Sequence, residues 1–296
     1  MLRQVKREIK RILIKLPFFD NYFERRKFVI ERDLIQGKSH NVSDHRSIIH
    51  YSVNKAATQY TQGILLQCAE ENNLLPVRMS AYAWSFDFPY IFTLPKEELG
   101  PYYHIFKPKG YLYTVFGGLV EEVPNVDQYN VVVMIRDPRD VLVSEYFSYG
   151  FKHDAPRVKE KQAEFYQLRD HIKSITIDEY VLENAGRLQK ELEKYVIFRK
   201  QHPNTLLLRY EDMINDFPSW LDRLIEYCQL NVSKELKQKL IETSAKSSRK
   251  TENLASHRRA VTPGDHVKKL EPKTIEQLNE IFKDVFSELG YEIKLS

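Results

Sequence analysis

The sequence predicts a single α/β domain with a central, mostly parallel sheet flanked by helices, and three observations carry that reading. Segments with strand character alternate with segments of helical apolar spacing along most of the 296 residues. The run Asn130-Val-Val-Val-Met-Ile135 is continuously apolar, as in a parallel strand covered on both faces. The residues after it spell a helix start, with Asp137 as N-cap, Pro138 at the first helical position and Asp140 at the third, where a carboxylate can reach back to the cap. In such a domain ligands collect at the carboxyl ends of the strands.

Taken in order, Leu2, Val5, Ile9, Ile12, Leu13 and Leu16 recur at helical spacing among Arg3, Lys6, Arg7, Lys10 and Lys15, so residues 1–19 predict a basic amphipathic helix. Its interrupted apolar run and the lack of a small-residue cleavage site argue that it is retained and not a signal peptide. Residues 20–45 read as a connecting segment, and the domain is expected to span 46–296. Within it, Arg46–Val53 predicts a strand. Thr58 to about Asn73 predicts a helix with Ile64, Leu65, Cys68 and Ala69 on its apolar face. A second strand is expected within Val77–Ser85 and a third within Gly110–Phe116, stopped by Gly117-Gly118. Beyond Asn130–Ile135 the helix starting at Pro138 is expected to run to about Tyr149. Then come a polar, helical middle containing Glu179–Gln201, a strand over Asn204–Tyr210, a helix over Pro218–Gln229 and a final helix near Lys273–Leu289. Ala245–Lys269 is basic, rich in Ser, Thr, His, Arg and Gly, and without a periodic apolar face; it reads as a long functional loop or lid.

Composition excludes several classes. With 45 Lys and Arg against 41 Asp and Glu, the net charge of +4 does not mark a nucleic-acid binder, and 42% hydrophobic residues exclude disorder. Cys68 and Cys228 stand far apart without a CxxC or Cys/His cluster, so no disulfide framework or zinc site is expected and a reducing, cytoplasmic setting fits. No apolar stretch is long enough to span a bilayer. The basic amino-terminal helix leaves open a peripheral contact of residues 2–16 with anionic lipid, against the alternative that its apolar face packs on the domain.

Four segments are chemically unusual. Val53-Asn-Lys-Ala-Ala-Thr-Gln-Tyr60 is a small-residue loop between strand and helix, where backbone N–H groups and the helix dipole suit an anion and Lys55 adds charge. It is not a Walker A loop, since GxxxxGK(S/T) occurs nowhere. In VVVMIRDPRDVLVSEYFS, Arg136 leaves the strand end and Ser144 lies about two helical turns on, so both could meet one phosphate. The third and fourth are Leu208-Arg-Tyr-Glu-Asp212 and His257-Arg-Arg-Ala-Val-Thr-Pro-Gly-Asp265. Each alone could be an ordinary loop, strand end or surface ion pair.

Together, in this order and spacing, they resemble the sulfotransferase family that uses 3′-phosphoadenosine 5′-phosphosulfate, over roughly residues 46–290. The most specific stretch is Ile135-Arg-Asp-Pro-Arg-Asp-Val-Leu-Val-Ser144; Tyr210-Glu211-Asp212 and the run from Arg258-Arg259 to Gly264-Asp265 follow where that family places its YED and RKG…GD elements. The resemblance implies a P-loop-like fold. It implies that Lys55, Ala56, Ala57, Thr58 and Gln59 cradle the 5′-phosphosulfate, with Lys55 neutralising charge on the leaving phosphate. It implies further that Arg136 and Ser144 hold the 3′-phosphate, that Tyr210 contacts the adenine side, and that Arg258 and Arg259 close over the 3′-phosphate as a lid. No metal is implied.

The sequence departs from the family at several points. The usual PKSGTTW loop has Asn54, Ala57, Gln59 and Tyr60 in place of Pro, Gly, the second Thr and Trp. The KTH strand that carries a histidine base in the cytosolic branch corresponds to Tyr111-Leu-Tyr-Thr-Val-Phe116, which has neither lysine nor histidine. For the base, His104, His257 and His266, or Asp87 or Glu70 after desolvation, are the candidates. Tyr82, Trp84, Phe86, Phe88, Tyr90 and Phe92, followed by Tyr102, Tyr103, Tyr111 and Tyr113, could line an acceptor cavity or simply pack the core. The expected activity is sulfuryl transfer to a hydroxyl of a small-molecule, carbohydrate or lipid acceptor. The alternatives are a P-loop-type phosphotransferase and a non-catalytic membrane-surface binding protein on the same fold.

Overall fold

The structure is a computed structural model that describes residues 26–40, 42–153, 155, 159–248 and 262–291. The basic helix expected over residues 2–16, and His257, Arg258 and Arg259, lie outside the described residues.

Five parallel strands form the sheet: β1 (Ile48–Ser52), β2 (Leu75–Val77), β3 (Tyr111–Phe116), β4 (Asn130–Ile135) and β5 (Leu206–Arg209), in the order β2-β3-β1-β4-β5. The predicted α/β class with a parallel sheet is what the chain adopts. β1 lies at the centre with Ser52 beside Met134, and Ile135 of β4 lies beside Arg209 of β5, so three strand ends open onto one edge. The chain leaves β1 toward β2 and β3, then crosses back to β4 and β5. The crevice between β1 and β4 is therefore the topological switch point, where ligands of such sheets bind.

Alternation along β1 places neighbouring side chains on opposite faces. Tyr51 meets Phe198 of the long helix α6 (Ile177–Gln201), while the Ser52 hydroxyl meets Thr58 in the first turn of α2 (Thr58–Glu71) on the other face. Ile64, Leu65, Cys68 and Ala69 of α2 are buried, as their spacing predicted. α4 (Pro138–Phe151) and α11 (Pro272–Leu289) pack against α6, whose amino terminus is fixed by a reciprocal box between Thr176 and Glu179.

Four expectations are corrected. The second strand is Leu75–Val77, and most of the stretch expected to be strand is instead helix α3 (Met79–Ser85). Its aromatics alternate, but Tyr82 and Phe86 are one helical turn apart and both stand edge-on to the buried Phe28. Phe28 immediately precedes α1 (Val29–Ile35), whose Leu34 is buried and whose Glu31 accepts the Arg78 backbone N–H, so part of the expected connecting segment belongs to the core. Tyr210 does not end β5; it opens α7 (Tyr210–Asn215), which leads into α8 (Phe217–Tyr227). The expected 245–269 loop is helical at both ends, where α9 (Lys234–Ser248) runs in and α10 (Asp265–Lys269) runs out. The helical middle holds two helices, α5 (Lys159–Ser174) preceding α6. Among the described residues, no helix is long and apolar enough to cross a membrane.

Candidate active site

A cavity of about 1010 Å³ opens at the carboxyl ends of β1, β4 and β5, walled by the 54–59 loop, α2, α4, α7, α8 and α9. The sheet order explains the convergence. Arg136 follows β4, Lys55 follows β1 and Tyr210 follows β5, so residues scattered over more than 150 positions share one mouth.

The 53–57 loop turns tightly into α2. Lys55 and Ala57 both hold positive φ, 66° and 57°, a region that L side chains enter at a cost of about 1–2 kcal/mol each. Ala57 is the N-cap of α2 and offers no side-chain oxygen, so the helix keeps exposed amide dipoles at this end. Lys55 reaches across to α4, where its Nζ donates to the Ser148 hydroxyl at 2.6 Å and lies 5.2 Å from the centre of the Tyr149 ring. Ala57, Thr58 and Gln59 line the cavity with it. Ala56 does not: its side chain is buried in the core and its N–H donates to the Val53 carbonyl. Thr58 shares a 2.8 Å hydrogen bond with Ser52.

Arg136 is buried at the switch point. One guanidinium nitrogen donates to the Lys55 carbonyl at 3.1 Å, another lies 3.5 Å from Asp140, and the plane covers the Tyr210 ring at 4.4 Å. Its Nε is buried and has no hydrogen-bond partner among the described residues. Ser144 lies on the next two turns of α4 and also lines the cavity. Around the described part of the lining there are four cations, Lys55, Arg136, Lys152 and Lys239, and no carboxylate.

Asp137 caps α4 as predicted, accepting from the Arg139 backbone N–H at 2.9 Å. Asp140 departs from expectation. It reaches forward to the 264–266 turn instead of back to the cap, accepting from the backbone N–H groups of Gly264 and His266 and bonding His266 Nδ1 at 2.7 Å. Burial alone would raise its carboxyl, but the His266 hydrogen bond and the Arg136 charge bring it down to about 2. In the YED element only Tyr210 lines the cavity. Glu211 accepts from the Asp137 N–H and the Tyr291 hydroxyl, and burial raises its carboxyl; Asp212 pairs with Arg209.

The described candidate bases do not reach this site. His104 bonds the Ile35 carbonyl on the surface, His266 is taken by Asp140, and neither Asp87 nor Glu70 lines the cavity. The aromatic run packs mostly on itself, Tyr82 on Phe88 and Phe88 on Tyr102 for example, which favours core packing over an aromatic acceptor pocket. One residue that motif reading missed does line the cavity. His153, just past the end of α4, stacks on Trp84 and Tyr149. Its only sequence signal is its spacing, five residues after Ser148. Among the described residues no group of three His, Cys, Asp or Glu side chains could hold a metal ion.

Residues 124–290 match the model of the Sulfotransferase domain family. Among solved structures the chain is similar to mouse sulfotransferase SULT7A1 complexed with PAP, with a TM-score of 0.54 and 17% identity over 87% of this chain and 89% of that one. At that identity the likeness speaks for the fold. A retinol dehydratase in a complex with retinol and PAP aligns with a TM-score of 0.48 and 16% identity, over 90% of this chain and 88% of that one. No curated protein matches the sequence.

Proposed function

The chain belongs to the sulfotransferase family, and on that premise we propose that it moves a sulfuryl group from 3′-phosphoadenosine 5′-phosphosulfate to a hydroxyl of a small-molecule, carbohydrate or lipid acceptor. The observation that carries the reading is the charge of the cavity: four cations and no carboxylate in its described lining, gathered where the switch-point crevice opens. A nucleotide with phosphates at both ends is the kind of ligand such a site takes, and the mouse structure of similar fold holds PAP, which is what remains of the donor after transfer.

In this reading the residues divide by position. The donor supplies an activated sulfuryl group on a phosphate leaving group. Lys55, with the amino end of α2 behind it, stabilises negative charge that grows on that phosphate, an electrostatic contribution of the sort that outweighs others in group transfer. Ala57, Thr58 and Gln59 complete the loop around it. Arg136 and Ser144 bind the 3′-phosphate, for which the unsatisfied buried Nε of Arg136 is a fitting donor. Tyr210, held flat beneath that guanidinium, borders the adenine. Arg258 and Arg259 close the same phosphate from outside, and the domain takes in α1 together with the expected 46–296. A Walker-type phosphotransferase is disfavoured because the loop offers Lys55-Ala56-Ala57-Thr58 where that class needs its glycines and the Lys-Ser/Thr pair.

Transfer of label from [35S]-labelled donor to a panel of phenols, sterols and glycolipids tests the proposal. Label in any sulfated product supports it. Binding of PAP with no release of label to any acceptor or to water contradicts it.

A further inference from the structure

We propose that His153 is the general base of the transfer reaction, taking the proton of the acceptor hydroxyl inside the cavity shared with Lys55. The inference rests on the reading of the cavity as the sulfuryl-transfer site. The reaction requires a proton acceptor, and β3, where a histidine would stand, has Tyr111–Phe116 instead. The described lining offers Lys55, Arg136, Lys152 and Lys239 as cations, Tyr60, Tyr149 and Tyr210 as phenols, and His153. Burial pushes the Tyr149 and Tyr210 hydroxyls above their ordinary values, away from service as neutral-pH bases. No carboxylate is among them. An imidazole is the one group of that set that ordinarily exchanges a proton near neutrality.

The position of His153 is built. Its backbone N–H donates to the Ser148 carbonyl at 2.7 Å, and its own carbonyl accepts from Arg169 of α5. The ring lies nearly parallel to Trp84, 5.9 Å between centres and 8° between planes, and 5.6 Å from the Tyr149 ring at 23°. Phe165 closes a third side edge-on. Trp84, Tyr149 and Phe165 come from α3, α4 and α5, so three helices hold one imidazole. Tyr149 is also the ring over which the Lys55 ammonium stands, at 5.2 Å. A single aromatic ring is thus in contact with both the proposed proton acceptor and the group proposed to stabilise the leaving phosphate. Among the described residues, the charged groups around it are Lys55 at the Tyr149 ring, Lys152 next in the chain, Arg169 on the carbonyl, and Glu145 of α4 with Arg187 and Glu191 of α6 acting on Tyr149.

The step balances without a further reagent. The acceptor oxygen forms its bond to sulfur as the bond between sulfur and the 5′-phosphate oxygen breaks. That electron pair leaves on the phosphate beside Lys55, and the hydroxyl proton passes to a ring nitrogen of His153, then to solvent after product release.

His153→Phe and His153→Ala separate chemistry from packing, because Phe keeps a flat ring against Trp84 and Tyr149 but has no nitrogen. Activity is read as release of [35S]-label from the donor to 2-naphthol, cholesterol, galactosylceramide or water, and binding as calorimetric titration with PAP. The expected result is a loss of at least 100-fold in turnover in both variants, PAP affinity within threefold of wild type, disappearance of the acid limb of the pH profile, and partial recovery of His153→Ala with added imidazole. Turnover of His153→Phe within threefold of wild type overturns the base while leaving the cofactor reading intact. So does loss of PAP affinity in step with activity. A wild-type protein that does not bind PAP overturns the cofactor reading itself, and the base with it.

Discussion

The Asp140 carboxylate and the His266 imidazole meet at 2.7 Å in a buried position, and the same carboxylate accepts the backbone N–H groups of Gly264 and His266. Asp140 also lies 3.5 Å from Arg136. The turn ahead of α10 is therefore tied to the residue proposed to bind the 3′-phosphate. Asp140→Asn puts an amide N–H₂ against one or more of these donors, and should cost about 3–5 kcal/mol, the range for breaking one side of a buried charge pair. Urea unfolding checks the size, and hydrogen exchange should lose protection at 264–270 before other parts of the domain. A uniform loss of protection would mean that Asp140 supports the core generally and not this turn.

A pH dependence follows from His50. Its Nδ1 bonds the Thr114 hydroxyl at 3.0 Å, and burial holds the imidazole down to about 3. The folded protein keeps it neutral while the unfolded chain protonates it below about 6.5. Its contribution is full above that value and declines as pH falls toward 3, by about 1.4 kcal/mol per unit. Between pH 7.5 and 5 the expected loss is about 2 kcal/mol. His50→Gln should unfold more easily than wild type at pH 7.5 yet lose less stability on acidification. Equal slopes in the two proteins would assign the acid sensitivity elsewhere.

Lys55→Ala separates binding from catalysis. If the ammonium acts on charge that develops only during transfer, turnover should fall by about 100- to 1000-fold while PAP affinity falls much less. Ser144→Ala should show the reverse, weaker PAP binding with turnover at saturation little changed. Steady-state kinetics with calorimetry distinguishes them; a Lys55→Ala protein that differs only in the Michaelis constant for the donor would make Lys55 a binding residue alone.

The left-handed conformation of Ala57 makes a stability prediction. Ala57→Gly removes the Cβ at φ 57° and should stabilise the protein by about 0.5–1 kcal/mol net of the extra freedom it gives the unfolded chain. Thermal unfolding checks it, and a lower melting temperature would show that the methyl's packing outweighs the strain.

How much of this was readable in the chain depends on whether local or distant contacts decided it. β4 and the cap of α4 follow from adjacent residues, a buried apolar run and an Asp-Pro step, and both appear where expected. α3 stands where a strand is expected, and the contact that fixes it is with Phe28, more than 50 residues from Tyr82 and Phe86. α9 escaped because its buried residues, Leu236 and Leu240, stand among lysines and polar residues with little apolar stripe. At the site, Lys55, Arg136 and Ser144 come from local loop and strand-end signals and Tyr210 from the family resemblance, and the fold brings all four to one cavity. His153 carries no motif. It becomes visible only once three helices supply the rings around it.

The central claim is that this cavity reads a nucleotide by its 3′-phosphate, through Arg136 and Ser144 with Arg258 and Arg259 closing from outside. Charge-assisted hydrogen bonds contribute about 1.5–3 kcal/mol each, so two or more of them separate ligands that have that phosphate from those that lack it by at least about 100-fold. Isothermal titration of the full chain with PAP and with ATP measures this directly. The account predicts tight binding of PAP and binding of ATP at least 100-fold weaker, with the difference shrinking in Arg136→Ala; equal affinity for the two nucleotides would contradict it.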